Sequence, residues 1–124
     1  MYNYFMLVGL VASNFEIKEV GDGKKVANIF LSVRREFKDM NGDYIYDLIR
    51  VTVWDFLAEM AYDTLKKGSK IGVKGRIVPK QEVLESGYKT LVHNLVADRI
   101  IYFDDGYKKN AEEHYDEDSF PEEE

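Results

Sequence analysis

The 124-residue sequence predicts an all-β domain, a closed barrel of five strands with one helix between strands three and four, followed by a disordered acidic tail. Three observations lead to this prediction. Short apolar or alternating segments are separated by glycine-containing turns, which is typical of small β proteins. Only one segment has the apolar spacing of a helix. Acidic residues concentrate at the C-terminal end, where few apolar residues are left to bury.

The first two predicted strands are residues 4–12 and 26–35. The first is apolar and contains Gly9, and a glycine inside a strand often marks a bend or bulge. Residues 15–20 alternate briefly and lead into a glycine-rich turn. The second strand alternates cleanly and places four apolar side chains on one face: Ala27, Ile29, Leu31 and Val33.

Residues 44–54 form the third predicted strand, and its two faces differ in an unusual way. One face is apolar and suits the core, with Asp47 as the exception: Ile45, Ile49, Val51 and Val53. The opposite face should meet solvent, yet it is aromatic and basic rather than small and charged. It carries Tyr44, Tyr46, Leu48, Arg50, Thr52 and Trp54.

The predicted helix covers residues 55–67, where Asp55 can cap the start and Gly68 follows the end. Residues 70–78 form the fourth strand, and Pro79 is expected to end its regular pattern. The fifth strand, residues 88–103, follows a turn. This order of strands and helix is that of an OB-fold. Order alone also fits other small barrels or an α+β sandwich.

Charge and composition narrow the classes of function. Residues 1–103 carry a net charge of +2 and residues 104–124 one of −8. There is no cysteine, which excludes disulfides, thiol catalysis and thiolate metal sites. The sequence has two histidines, His93 and His114, which offer few ligands for a zinc site and a weak basis for a histidine-dependent catalytic triad. No run reaches the ~18 apolar residues of a membrane span, no signal peptide is expected, and the composition fits a cytosolic protein.

The aromatic and basic residues of the predicted strands indicate that the protein binds nucleic acid. Proteins that bind single strands combine basic grooves with aromatic rings on which bases stack. Such residues recur on the predicted strands and before the hairpin: Arg34, Arg35, Phe37, Lys38, Tyr46, Arg50, Trp54, Lys74 and Arg76. The pattern alone also allows these aromatics to form a second core or a subunit interface.

Several segments, in order and at the right spacing, carry a resemblance that covers roughly residues 4–103. They are Leu7-Val8-Gly9, Val26-Ala27-Asn28-Ile29, Arg50-Val51-Thr52-Val53-Trp54, Leu65-Lys66-Lys67-Gly68-Ser69, Val73-Lys74-Gly75-Arg76 and Val96-Ala97-Asp98. Together they resemble the oligomeric OB-fold single-stranded DNA-binding proteins of bacteria and phages.

The resemblance implies sequence-nonspecific binding and protection of single-stranded DNA in replication, recombination and repair. It implies no catalysis, no cofactor and no metal, a homotetramer or a dimer, and a location in bacterial cytoplasm, nucleoid or phage-infected host. By position, stacking residues fall on Phe37, Leu48 and Trp54. The family's phosphate-contacting basic residues fall on Arg50, Lys67 and Lys80, and Lys38 lies near such a position.

The sequence departs from the family pattern in two parts. Leu48 and Glu82 stand where the family usually has aromatic residues, and Tyr88 is a candidate to compensate. The tail is acidic but does not end in the family's Pro-Phe. Its candidate partner-binding residues are Asp116, Glu117, Asp118, Phe120 and Pro121. This tail could recruit replication or repair proteins, or compete with phosphates for the basic groove.

Two other classes of function stay open at this point. One is an OB-fold adaptor or primosome accessory that binds protein and needs no stacking face. Arg50 and Trp54 on one strand face argue against it. The other is a nuclease that uses acidic residues with a metal ion, although most acidic residues cluster in the tail, which offers no fixed coordination geometry.

Overall fold

The computed structural model describes residues 1–103, which form six strands and one helix. In chain order these are β1 (Phe5–Val11), β2 (Ile17–Val20), β3 (Lys24–Arg34), β4 (Tyr46–Trp54), α1 (Asp55–Thr64), β5 (Lys70–Val83) and β6 (Lys89–Tyr102). The sheet order is β1-β5-β6-β4-β3-β2, and β1 also pairs with β3. This second pairing of β1 turns the sheet into a ring.

The ring confirms the predicted all-β class with a single helix between the third and fourth long strands. β1 pairs with β5 from Phe5 to Leu10 and then reaches β3, with Val11 opposite Leu31. β4 contacts β6 in parallel through Thr52 and Val96. The sixth strand is the short β2, which pairs with β3 beside the ring.

Two glycines permit the close crossings inside the ring. A Cβ on Gly75 would lie 1.9 Å from the Val96 carbonyl oxygen, and one on Gly9 would lie 2.5 Å from the Ser32 carbonyl oxygen. Both distances are far below van der Waals contact, so any side chain there would push the strands apart. The glycine predicted to mark a bend in β1 therefore lies where β1 approaches β3.

The core lies inside the ring and is closed by α1. The largest fully buried side chains alternate along the strands: Val11, Ile29, Leu31, Val51, Val53, Ile71 and Val73. Ala58 and Ala61 of α1 pack against them. Each fully buried aliphatic side chain contributes roughly 1.5–3 kcal/mol. The faces predicted for β3 and β4 are thus confirmed, and their other sides point outward.

The helix differs from its prediction at both ends. Asp55 does not cap it, because Trp54 holds the N-cap position without a side-chain cap hydrogen bond. The Asp55 carboxylate instead accepts a hydrogen bond from the Lys25 backbone N–H at 3.0 Å, and its backbone φ is +51°. The helix ends at Thr64 rather than at residue 67, since Leu65 is extended and buried in the core.

Pro79 does not end the fourth long strand. It pairs with His93, and β5 continues to Val83 opposite Lys89. Residues 79–93 therefore form a two-stranded arm that extends past the core, and most of its side chains are exposed. The proline is tolerated because the arm has only two strands, so each has a free edge. The tail predictions for residues 104–124 lie outside the described residues. Within residues 1–103 no helix is long and apolar enough to cross a membrane.

We expect Gly75→Ala to lower the free energy of unfolding by about 3 kcal/mol, because the new methyl group meets backbone that cannot yield. Gly72→Ala on the same strand is the matched control. Its Cβ would meet the flexible end of Met6 at 3.2 Å, so the loss should stay below about 1 kcal/mol. Urea unfolding measures both, and equal losses would contradict this account of the crossing.

Candidate nucleic-acid interface

The outward side chains of β3 and β4 form one continuous surface, which we call the binding face. It consists of Phe30, Arg34, Tyr46, Leu48, Arg50 and Trp54, all of them exposed. The strand register places Phe30 opposite Arg50 and Arg34 opposite Tyr46. These side chains point outward because their neighbours along each strand point into the core. Strand alternation therefore gathers two cations and three rings on one side.

Arg50 lies at the centre of the binding face. Its guanidinium donates a 3.3 Å hydrogen bond to the Asn94 side chain on β6. Beside it, the Thr52 hydroxyl donates a 3.0 Å hydrogen bond to the Asn28 amide oxygen. Among residues 1–103 no carboxylate forms an ion pair with Arg50, so its charge is available to an anion.

Trp54 ends β4 at one side of the binding face, and 39% of its surface is exposed. The next residue, Asp55, holds the strand-to-helix turn through the Lys25 backbone N–H. The Lys25 ammonium also pairs with Glu59 on α1, and this hydrogen bond raises the pKa of Lys25. The indole of Trp54 therefore precedes a turn that is hydrogen-bonded to Lys25 of β3, and Lys25 in turn pairs with α1.

The hairpin between β3 and β4 carries a second group of rings and cations. The Arg34 guanidinium carbon lies 4.3 Å and the Lys38 ammonium nitrogen 4.8 Å from the centroid of the Tyr44 ring. Both distances are within the range of cation–π attraction. Phe37 on the same hairpin is 79% exposed. The candidate residues Arg34, Phe37 and Lys38 therefore lie together at one end of the binding face.

Arg35 has a different environment from its neighbour Arg34. Its guanidinium donates hydrogen bonds of 3.0 and 2.9 Å to the two carboxylate oxygens of Asp47. These hydrogen bonds lower the pKa of Asp47 and raise that of Arg35. The Arg35 backbone N–H also bonds to the Ile45 carbonyl at 2.8 Å. Arg35 thus stabilises the base of the hairpin between β3 and β4. Its pairing with Asp47 explains why this one charged residue lies on the inner side of β4.

The basic residues of β5 are distributed along its length. Arg76 lies near the binding face, but its guanidinium forms a 2.9 Å ion pair with Asp98 on β6. Lys80 lies on the exposed arm, and Tyr88, 75% exposed, follows the turn at the arm's tip. Lys74 lies on the part of β5 that pairs with β1, and its ammonium is 5.5 Å from the Tyr4 ring centroid.

Lys67 lies outside β3, β4 and the hairpin between them. It follows α1, and its backbone N–H lies 3.5 Å from the Asn14 side-chain oxygen. Asn14 lies between β1 and β2, and β2 pairs with β3 in the same sheet. The structure therefore brings together the candidates on β3, β4 and their hairpin, places Lys80 and Tyr88 on the arm, places Lys67 after α1, and places Lys74 on β5 beside Tyr4.

Sequence reasoning missed three residues of this surface as site candidates: Phe30, Tyr44 and Asn94. Phe30 alternates with core residues on β3, so its outward position was visible in the pattern. Tyr44 was assigned to the outward face, but its contact with two cations depends on the hairpin's shape. Asn94 reaches Arg50 only because β6 crosses beside β4, and no local signal reports that crossing.

Chemically, the binding face can stack planar rings and attract anions. Exposed aromatic rings offer apolar area with a π face, and nearby cations offer charge to phosphates. Within the described part of the chain no group of three or more histidine, aspartate or glutamate residues could hold a metal ion.

The family model described as "Single-strand binding protein family" matches residues 2–103. The chain belongs to the single-strand binding protein family. The match covers β1 to β6, and therefore the ring, the binding face and the arm.

Curated relatives within the single-strand binding protein family agree with this assignment. Single-stranded DNA-binding protein B of Bacillus subtilis is 32% identical over 111 residues, which are 90% of this chain and 98% of that protein. The single-stranded DNA-binding proteins of Streptococcus mutans and Streptococcus pneumoniae are 33% and 36% identical over 98 residues, or 79% of this chain. This chain spans 60% and 63% of the length of those two relatives.

For this member of the single-strand binding protein family, we expect Asp47→Asn to lower stability at neutral pH. The folded pKa of Asp47 is lowered by Arg35, so its contribution is present above the ordinary aspartate pKa of 3.8. That contribution is lost as the pH falls from there through the lowered pKa. The urea midpoints of wild type and variant should therefore differ at pH 7, and the difference should shrink as the pH falls below 3.8. A difference that does not change with pH would contradict the ion pair.

Proposed function

We propose that this protein binds single-stranded DNA without sequence preference and protects it during replication, recombination and repair. The observation that carries the proposal is the binding face itself. Arg50, Phe30 and Trp54 point outward on paired strands whose other sides form the core. Membership of a family whose curated relatives are named single-stranded DNA-binding proteins supports the same function.

Bases stack on the exposed rings, and phosphates pair with cations between them. Stacking contributes roughly 1–3 kcal/mol per base and tolerates any base, because every base has a π face. The path begins at the hairpin with Phe37, passes Leu48 and Arg50, and ends at Trp54. Leu48 offers apolar contact without a ring, so we expect weaker stacking at that step.

The arm extends this path with mixed chemistry. Lys80 adds a cation and Tyr88 adds an exposed ring near the tip. Glu82, opposite Thr90 in the same hairpin, adds a charge that repels phosphate. We propose that the arm contributes less to affinity than the binding face does.

We further propose that the protein acts as a homotetramer, or as a dimer, and carries out no catalysis. An exposed apolar strip along β1 supports self-association, since such strips commonly mark protein contacts. It includes Tyr4, Met6 and Val8. We expect the protein to act in bacterial cytoplasm or nucleoid, or in phage-infected cells. The acidic segment 104–124 is proposed to recruit partner proteins or to compete with phosphates, since its net charge is −8 against +2 for residues 1–103.

Arg50→Ala tests the carrying observation. We expect the affinity for a thymine oligonucleotide to fall about tenfold, because a charged hydrogen bond to phosphate is lost. The slope of log affinity against log salt should become shallower by about 0.7, the value for one single-strand phosphate contact. Fluorescence anisotropy of a labelled oligonucleotide at several salt concentrations measures both quantities.

Arg99→Ala is the matched control for Arg50→Ala. Arg99 is an exposed cation on β6, opposite Lys74 of β5, and it is not part of the binding face. It should leave the affinity within twofold of wild type and the salt slope unchanged, since bulk charge alone acts weakly. Equal losses in the two variants would replace the defined site with diffuse electrostatic attraction. No loss in either would favour the protein-binding adaptor.

A further inference from the structure

We infer that Tyr44 is a positioning residue that orders Arg34 and Lys38 into a two-cation clamp for one internucleotide phosphate. The inference rests on the proposed function, because the ligand is a phosphate of the bound strand. The juxtaposition that carries it is one exposed ring with two cations within 5 Å of its centroid.

The two cations have no acidic partner among the described residues. Within residues 1–103, neither the Arg34 guanidinium nor the Lys38 ammonium forms an ion pair, whereas the adjacent Arg35 is fully used by Asp47. Two positive groups held at one ring repel each other, and a phosphate that contacts both relieves that repulsion. The site is therefore built for an anion that residues 1–103 do not supply.

The hairpin that carries the clamp is held in shape. One Asp39 carboxylate oxygen accepts hydrogen bonds of 2.9 Å from the backbone N–H groups of Asn41 and Asp43. The Asp39 backbone N–H bonds to the Asp43 carbonyl at 2.8 Å. Gly42 has a φ of +84°, which suits the tight turn. Tyr44, directly after this turn, is thus held at a fixed place beside Arg34 and Lys38.

The ring lowers the entropic cost of phosphate binding. Long basic side chains lose rotamer freedom when they grip a ligand, and this loss weakens binding. Cation–π contacts with Tyr44 restrict both side chains before the strand arrives. The clamp also lies beside Phe37, so a base stacked there would bring its phosphate close to the two cations.

Tyr44→Leu is the first variant. We expect the affinity for a thymine oligonucleotide to fall about fivefold, from the loss of two exposed cation–π contacts. The salt slope should become shallower by up to about 0.7, the value for one single-strand phosphate contact. Tyr44→Phe keeps the ring face and should retain both affinity and slope. Tyr2→Leu, at a fully exposed tyrosine outside the hairpin, is the matched control and should change neither.

A double-mutant cycle separates positioning from direct contact. Because Tyr44 acts through Arg34, Arg34→Gln combined with Tyr44→Leu should weaken binding much less than the product of the two single effects. Multiplicative losses with an unchanged salt slope would show that Tyr44 itself stacks on a base and would overturn the clamp. An unchanged affinity in Tyr44→Leu would overturn it as well. Urea midpoints within error of wild type confirm that each variant is folded.

The same titration distinguishes this inference from the proposed function. If wild type binds the oligonucleotide and the Tyr44 variants behave like wild type, only the clamp fails. If wild type binds neither single strand nor duplex, the proposed function fails, and the clamp fails with it.

Discussion

The whole structure depends on β1 pairing with two strands at once. Its first part pairs with β5 and its end with β3, which closes the sheet into a ring. Closure requires backbones to approach more closely than a Cβ permits, and Gly9 and Gly75 provide that space. Once the ring is closed, every strand has one inner and one outer side. The binding face is the outer side of β3 and β4, so its composition follows from the same alternation that builds the core.

The role of an arginine in this structure depends on whether a carboxylate lies within hydrogen-bond distance of it. Arg35 and Arg34 are neighbours in sequence, yet Arg35 meets Asp47 and Arg34 meets the Tyr44 ring. Arg76 pairs with Asp98, whereas among residues 1–103 the side-chain partner of Arg50 is the neutral Asn94. The protein therefore separates cations that fasten strands and hairpins from cations that remain available to an anion. The second set lies on the binding face, beside exposed rings.

The sequence pattern predicted those features that depend only on residues near each other in the chain. Alternation in residues 44–54 identified both faces of β4, because side-chain direction has a period of two in any strand. Predictions failed where distant backbone decided the outcome. Asp55 was expected to cap the helix, but its carboxylate bonds to Lys25 of another strand. Pro79 was expected to end a strand, but the arm's free edge accommodates it. The contacts of Tyr44 and Asn94 arise from a hairpin shape and a strand crossing that sequence spacing does not report.

The most direct test of the central claim uses Trp54, the only tryptophan in the chain. Its fluorescence should be strongly quenched when a thymine oligonucleotide is added, and duplex DNA of equal length should leave it nearly unchanged. Added salt should weaken the quenching by the single strand, since phosphate contacts release counterions. Quenching specific to the single strand would show that the indole lies where bases stack. Equal responses to both DNAs, or none to either, would contradict the assignment of β3 and β4 as a single-strand binding surface.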